Sequence, residues 1–229
     1  MAAYEEHIGK EAKEFVSPGK PHEYLSNHEG DPVDIDMYRS LVGQVMFFAT
    51  KLGPTIGNAV RVLSGFMGNP SETHWKALGR LIGYMKYMKV KGLMYVEPES
   101  FRVSSLCDTD YGNCTETRRS VGCTIVTMGG CIVDWPMAKH MTVSDSLCEA
   151  EYKELAKCAK SVKFIQMLLG EFGLSESPGI LFEDNAGSIF LAQNQQVSKR
   201  TKHLDLKHHF IREFIEKRNG VRSGVVKKI

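Results

Sequence analysis

Three carboxylates in this chain sit where ordinary packing gives them little to do. Asp108 lies inside a strand-like run, Phe101 to Asp110, just after Leu106 and Cys107. On a two-residue period it shares a face with Asp110. Turn chemistry accounts for Asp110, because Asp110-Tyr111-Gly112-Asn113 reads as a strand exit. It does not account for Asp108. Glu151 falls in the apolar stripe Leu147, Leu155, Cys158, Val162, Ile165, Leu169 of a long helical segment. A carboxylate on such a stripe is paired, protonated or bound to a cation, unless the helix end is open to solvent there. Asp184 closes the run Ile180-Leu181-Phe182-Glu183. An aspartate there either caps the next helix or joins a site at the strand's C-terminal end. A strand, a helix start and a second strand end can bring all three to one sheet edge. Oxygen donors without a Cys/His set select Mg²⁺ or Mn²⁺ over zinc, and two such ions serve phosphoryl chemistry.

The elements that must position these residues follow from periodicity. Residues 1–34 are polar, with turn signals at Ser17-Pro18-Gly19 and from Asn27 to Pro32, and read as an extended or poorly ordered leader. Residues 35–92 read as a small helical segment. Tyr38, Leu41, Val42, Val45, Met46 and Ala49 keep one helical period, Gly53-Pro54 breaks it, and Ile56 to Phe66 resumes it. After Gly68-Asn69-Pro70, Trp75 to Met88 form a third helix that stops near Gly92.

Residues 93–229 change character. Leu93–Val96, Phe101–Asp110, Ser120–Met128 and Cys131–Trp135 read as strands, the last two joined by the hairpin signal Gly129-Gly130. A helix is expected from Leu147 to Phe172, with Ser146 as N-cap and Glu149 at N3. Gly179–Glu183 reads as a strand, Ala186–Gln193 and Leu204–Lys217 as helices. The order implies an α/β layer: an antiparallel three-stranded meander extended by a parallel strand after a helical crossover, with helices packed on the sheet.

Bulk composition narrows the class without naming a function. The 229 residues are 42% hydrophobic and 24% charged, which is globular rather than disordered. Net charge is only +2, so charge alone requires no polyanionic partner. Its distribution is uneven: Met1 to Asp36 holds nine acids against three lysines, and Lys199 to Ile229 ten Lys/Arg against three acids. A basic end is compatible with phosphate contacts or with a solvated surface. The six cysteines form no C-x-x-C pair, which fits a reduced intracellular protein better than a disulfide framework or zinc site. No apolar run is long enough to span a membrane. His203, His208 and His209 read as surface histidines rather than metal ligands.

Taken in order, several short motifs resemble the C-terminal part of a copia-type LTR retrotransposon Pol polyprotein, its ribonuclease H domain with the helical segment before it. They are Tyr38-Arg39-Ser40-Leu41-Val42-Gly43, Asp108-Thr109-Asp110, Arg118-Arg119-Ser120-Val121-Gly122, Gly129-Gly130, Glu149-Ala150-Glu151-Tyr152, Asp184-Asn185, Arg200-Thr201-Lys202-His203-Leu204-Asp205 and Phe210-Ile211-Arg212-Glu213. The resemblance implies a ribonuclease H-like fold and hydrolysis of the RNA strand of RNA–DNA hybrids during reverse transcription. Asp108, Glu151 and Asp184 would hold two Mg²⁺ (or Mn²⁺) ions. Arg118, Arg119, Lys199, Arg200 and Lys202 would meet hybrid phosphates, with recognition through backbone and 2′-OH rather than bases. It further implies an intracellular setting (cytoplasm, nucleus or virus-like particle), other Pol segments as partners and no membrane.

Departures from the family pattern set a second expectation. The family places a fourth metal-site aspartate in a C-terminal helix after one more strand. Here the sequence diverges near Gly220, and none of Asp205, Glu213 and Glu216 matches that aspartate. The domain thus reads as truncated at its C-terminus, lacking that strand and helix. Leu52-Gly53-Pro54-Thr55 and Leu147-Cys148 also depart from the pattern, and the polymerase aspartate pair is absent. The alternative function is therefore a catalytically inactive remnant that keeps the fold as a nucleic-acid-binding or assembly module. A third reading is an integrase or transposase of the same fold; the order Asp, Glu, Asp argues against it, since that class ends its triad with glutamate.

Overall fold

Asp34 starts the first helix: its side chain accepts hydrogen bonds from the Asp36 and Met37 amides at 2.9 and 3.0 Å. In this computed structural model, residues 4–6, 9, 11–20, 25–26, 30–112, 114, 117–174, 178–194, 205–215, 217–218, 221–222 and 224–229 are described. They fall into two units, Met1–Leu93 and Met94–Ile229. Among the described residues no helix is long and apolar enough to cross a membrane.

The first unit holds α1 (Ile35–Lys51), α2 (Gly57–Ser64) and α3 (Glu72–Tyr87). Gly53-Pro54 ends the first period and Pro54–Ile56 form one 3₁₀ turn. Ser71 caps α3, its amide donating to His74 Nδ1 at 2.9 Å. Tyr38, Leu41, Leu78, Leu81 and Ile82 are buried between the helices, and the Tyr38 hydroxyl donates to the Leu63 carbonyl at 3.0 Å. The leader also contributes: Tyr4 and Ala12 are buried in this core, and the Phe15 amide donates to Gly83 O at 3.3 Å.

The second unit is a sheet with helices. Its strands are β1 (Val103–Asp110), β2 (Val121–Met128), β3 (Cys131–Asp134), β4 (Met137–Lys139) and β5 (Gly179–Glu183). Three short segments come later in the chain: β6 (Lys217–Arg218), β7 (Val221–Arg222) and β8 (Gly224–Lys228). The helices are α4 (Leu147–Glu171), α5 (Ala186–Gln193) and α6 (Asp205–Ile215). Strand order is β3-β2-β1-β5-β8, with β4 also on β2. β1 to β3 run antiparallel, whereas β5 is parallel to β1 and β8 parallel to β5. A meander continued by parallel strands across a long helix is the ribonuclease H-like order. The core on α4's side joins Val103, Cys107, Val126, Leu155, Val162 and Leu181.

Three differences from the sequence-derived layout have physical reasons. Leu93–Val96, read there as a strand, forms none. No strand pairs with it, and Met94, Tyr95 and Val96 are exposed. The strand thought missing after the last helix is present as β8, where Val225-Val226 follow Gly224 and Val226 reaches the core. A Cβ at Gly224 would overlap the Phe214 ring, so glycine is what lets β8 approach α6. Finally, β4 is an added short strand that pairs Met137–Lys139 with Val121–Cys123.

Candidate metal site

The start of α4 is fixed by a dense set of polar contacts. Ser146 Oγ accepts from the Glu149 amide at 3.1 Å, and Glu149 Oε2 accepts from the Asp145 amide at 2.8 Å. Glu149 also forms an ion pair with Lys153, which is buried as well. Lys153 Nζ donates to Thr142 Oγ1 at 3.2 Å and Ser144 Oγ at 3.1 Å, tying the preceding loop to the helix. On the sheet side, Thr109 Oγ1 of β1 donates to Ala150 O at 3.5 Å. Small, buried Ala150 lets the helix lie this near the strand. These contacts hold Glu151, in the second turn, over the C-terminal ends of β1 and β5.

Three carboxyl groups meet there: Glu151, Glu183 and Asp184 each offer an oxygen within 4.8 Å of the others. Glu151 is 3% exposed and Glu183 0%, while Asp184 is exposed. Adjacent residues reach one place because β5 ends at Glu183, so side-chain alternation stops there. Capping of α5 falls to Asn185, whose side chain accepts from the Ser188 amide at 3.0 Å. Asp184 is therefore not used as the cap. Glu183 accepts from the Asn185 amide at 3.0 Å and from Cys107 Sγ at 3.4 Å.

The electrostatics are those of crowded, buried acids. Burial first, then the Glu183 charge, pushes the Glu151 carboxyl up to about 8; Asp108 and Asp184 add to this, and a Thr109 hydrogen bond opposes it. Burial also raises Glu183, against the Asn185 amide and the Cys107 thiol. Glu151 Oε2 is buried without a hydrogen-bond partner. Among the described residues, no Lys, Arg or His forms an ion pair with any of the three. An orphaned carboxylate oxygen amid hard oxygen donors fits a divalent cation such as Mg²⁺ or Mn²⁺.

Asp108 stands differently. Along β1, Val103, Ser105, Cys107 and Thr109 turn towards α4, so Leu106, Asp108 and Asp110 face the other way and are exposed. Asp108 lies opposite Cys123 of β2. It is outside the group within 4.8 Å, although its charge still reaches Glu151. The structure thus brings together Glu151 and Asp184 from the sequence-derived trio, and adds Glu183 in place of Asp108. Glu183 was missed, yet strand alternation signals it: two residues after buried Leu181, it belongs on the core face. Arg118 and Arg119 lie just before β2, at the sheet end where β1 finishes; Arg118 is exposed and has a left-handed φ of 52°. Lys199, Arg200 and Lys202 lie outside the described residues.

No protein-family model matches the chain. It is 30% identical over 220 residues to the retrovirus-related Pol polyprotein from transposon RE2 of Arabidopsis thaliana, which covers 95% of this chain and 15% of that relative. To the corresponding polyprotein from transposon TNT 1-94 of Nicotiana tabacum it is 28% identical over 179 residues, 78% of this chain and 13% of the relative. The chain is a homologue of copia-type Pol polyproteins. It spans about 15% of the length of such relatives. Among solved structures it is similar to LC11-RNase H1 isolated from compost, at 14% identity and TM-score 0.42, covering 56% of this chain and 84% of that one.

In this copia-type homologue, the motif Arg118-Arg119-Ser120-Val121-Gly122 has a local structural explanation. Ser120 Oγ accepts from the Gly112 amide at 3.2 Å, and Ser120 O accepts from the His140 amide at 2.8 Å. A Cβ at Gly122 would overlap the Glu154 carboxyl, so the glycine makes room for that buried acid. Glu154 accepts from Thr124 Oγ1 at 3.1 Å and meets His140 Nε2 at 3.0 Å and Lys157 Nζ at 2.6 Å. Burial alone would raise its pKa, but His140, Lys157 and Thr124 hold it below the ordinary carboxylate value.

Proposed function

We propose that the chain is a ribonuclease H-like domain that hydrolyses the RNA strand of RNA–DNA hybrids in a divalent-metal-dependent reaction. The observation that carries this reading is the meeting of Glu151 and Asp184 at the C-terminal ends of parallel strands, with Glu151 Oε2 buried and unpartnered. Asp108, Glu151 and Asp184 would hold the ions, which supply an activated water and stabilise the leaving 3′ oxygen. The chain's own residues do the positioning. The Ser146 cap and the Lys153 contacts fix Glu151 on its helix, and capping by Asn185 leaves Asp184 for the site. Arg118 and Arg119 stand at the same sheet end, where phosphates of a hybrid would be met; Lys199, Arg200 and Lys202 are proposed to extend that contact. Other Pol segments are proposed partners, and an intracellular setting follows from such a substrate.

A second reading, a fold kept without turnover, is favoured by one observation: Asp108 lies outside the carboxylate group. One assay separates them. A labelled RNA–DNA hybrid is incubated with the chain and Mg²⁺ or Mn²⁺, beside Asp108→Asn and Glu151→Gln. Cleavage in the wild type that vanishes in both variants supports the nuclease. Equal background in all three leaves the inactive module.

A further inference from the structure

Among the described residues of this unit, four buried acids are provided for in two different ways. Glu149 and Glu154 each meet a lysine, Lys153 for the first and Lys157 for the second, and Glu154 also meets the His140 ring. Glu183 has no such partner among the described residues. It is 0% exposed, and it accepts from one backbone amide and one thiol, with the Ser188 hydroxyl also acting on it. A thiol is a weak donor, and a carboxylate accepting from one amide and one thiol keeps lone pairs to spare. Oxygens of Glu151 and Asp184 lie within 4.8 Å of one of its own. Three carboxyl groups at that spacing, two of them buried, have no ion-pair partner among the described residues to offset their crowding. Independently, Glu151 Oε2, on a side chain more than nine-tenths buried, lacks any hydrogen-bond partner.

We propose that Glu183 is a direct ligand of a divalent cation held with Glu151 and Asp184. This rests on the metal-dependent reading above, and it adds a ligand from the end of β5 beside Asp184. A hard cation is the ligand, since all three donors are carboxylate oxygens.

The test is Mn²⁺ binding to the full chain, followed by titration calorimetry, for wild type, Glu183→Gln and Glu183→Asp, with circular dichroism as the fold check. The expected result is Mn²⁺ binding by wild type that weakens about tenfold or more in Glu183→Gln, with Glu183→Asp in between. Should the glutamine variant not fold, Glu183→Asp carries the test, and unchanged affinity there overturns the proposal. Equal affinity in wild type and Glu183→Gln shows a protonated buried acid and overturns it too. No Mn²⁺ binding by wild type overturns both this and the metal-dependent nuclease. Weakened binding in Glu183→Gln without hybrid cleavage by wild type keeps Glu183 as a ligand and removes only the nuclease.

Discussion

The two halves of α4 reverse the usual rule of inside and outside. In its first turns Glu149, Glu151, Lys153 and Glu154 are all buried, while further along Phe164 and Met167, and Phe172 just past its end, are 67%, 62% and 69% exposed. One helix thus buries charge and exposes aromatic surface. The difference teaches that burial here follows the partners each position meets. The first half lies over β1 and β2, where Thr109, Thr124 and the 142–146 loop supply polar atoms. The second half's exposed face meets no such layer. Buried charge of this kind is expensive to disturb, whereas exposed apolar side chains are ordinary and cheap to change.

The strongest way to break the contrast is Glu154→Ala. It leaves His140, Lys157 and Thr124 facing a void, and a loss of about 3–5 kcal/mol is expected in urea unfolding at neutral pH. Gly122→Ala attacks the same acid from the sheet, and about 1–3 kcal/mol should be lost as Glu154 is displaced; wild-type stability would show that the carboxyl does not lie against Gly122. Next comes a pH effect. In the folded chain burial, then the Glu183 charge, pushes the Glu151 carboxyl up to about 8, from 4.5 for an ordinary glutamate. The folded state therefore keeps a proton that the unfolded state releases, and this contribution is full below the unfolded value and lost as pH rises towards about 8. In EDTA, the stability of wild type relative to Glu151→Gln should fall steadily across that window, and added Mn²⁺ should restore it. A flat difference would mean that Glu151 is neither buried nor crowded by Glu183 as described. Smallest of all, Phe164→Ser and Phe172→Ser should each change stability by no more than about 0.5 kcal/mol. A larger loss would place that face against something in the folded chain.

Much of this was legible in the residues, unevenly. Periodicity located α4, and the Ser146-x-x-Glu149 pattern fixed its first turn, because capping is a local matter of three residues. The interruption of the apolar stripe at Glu151 marked a real buried acid. Glu183 was readable by alternation from Leu181 but was eclipsed by the more conspicuous Asp184 beside it. The Glu154–His140–Lys157 group was not readable: His140 lies 14 residues before Glu154, and only the loop's path makes them neighbours. Leu93–Val96 has strand-like residues but pairs with no strand, and pairing is tertiary information. β8 escaped notice for the opposite reason, being five residues long and recognisable chiefly by the parallel neighbour it finds.

That last strand bears on how the sheet assembles. β5 is flanked on one side by β1, some 75 residues earlier, and on the other by β8, about 45 residues later. Both are parallel, non-local pairings, the slow kind to form. Until Gly224–Lys228 dock, the strand that carries Glu183 has an open edge of unpaired amides and carbonyls, a template for pairing with another chain.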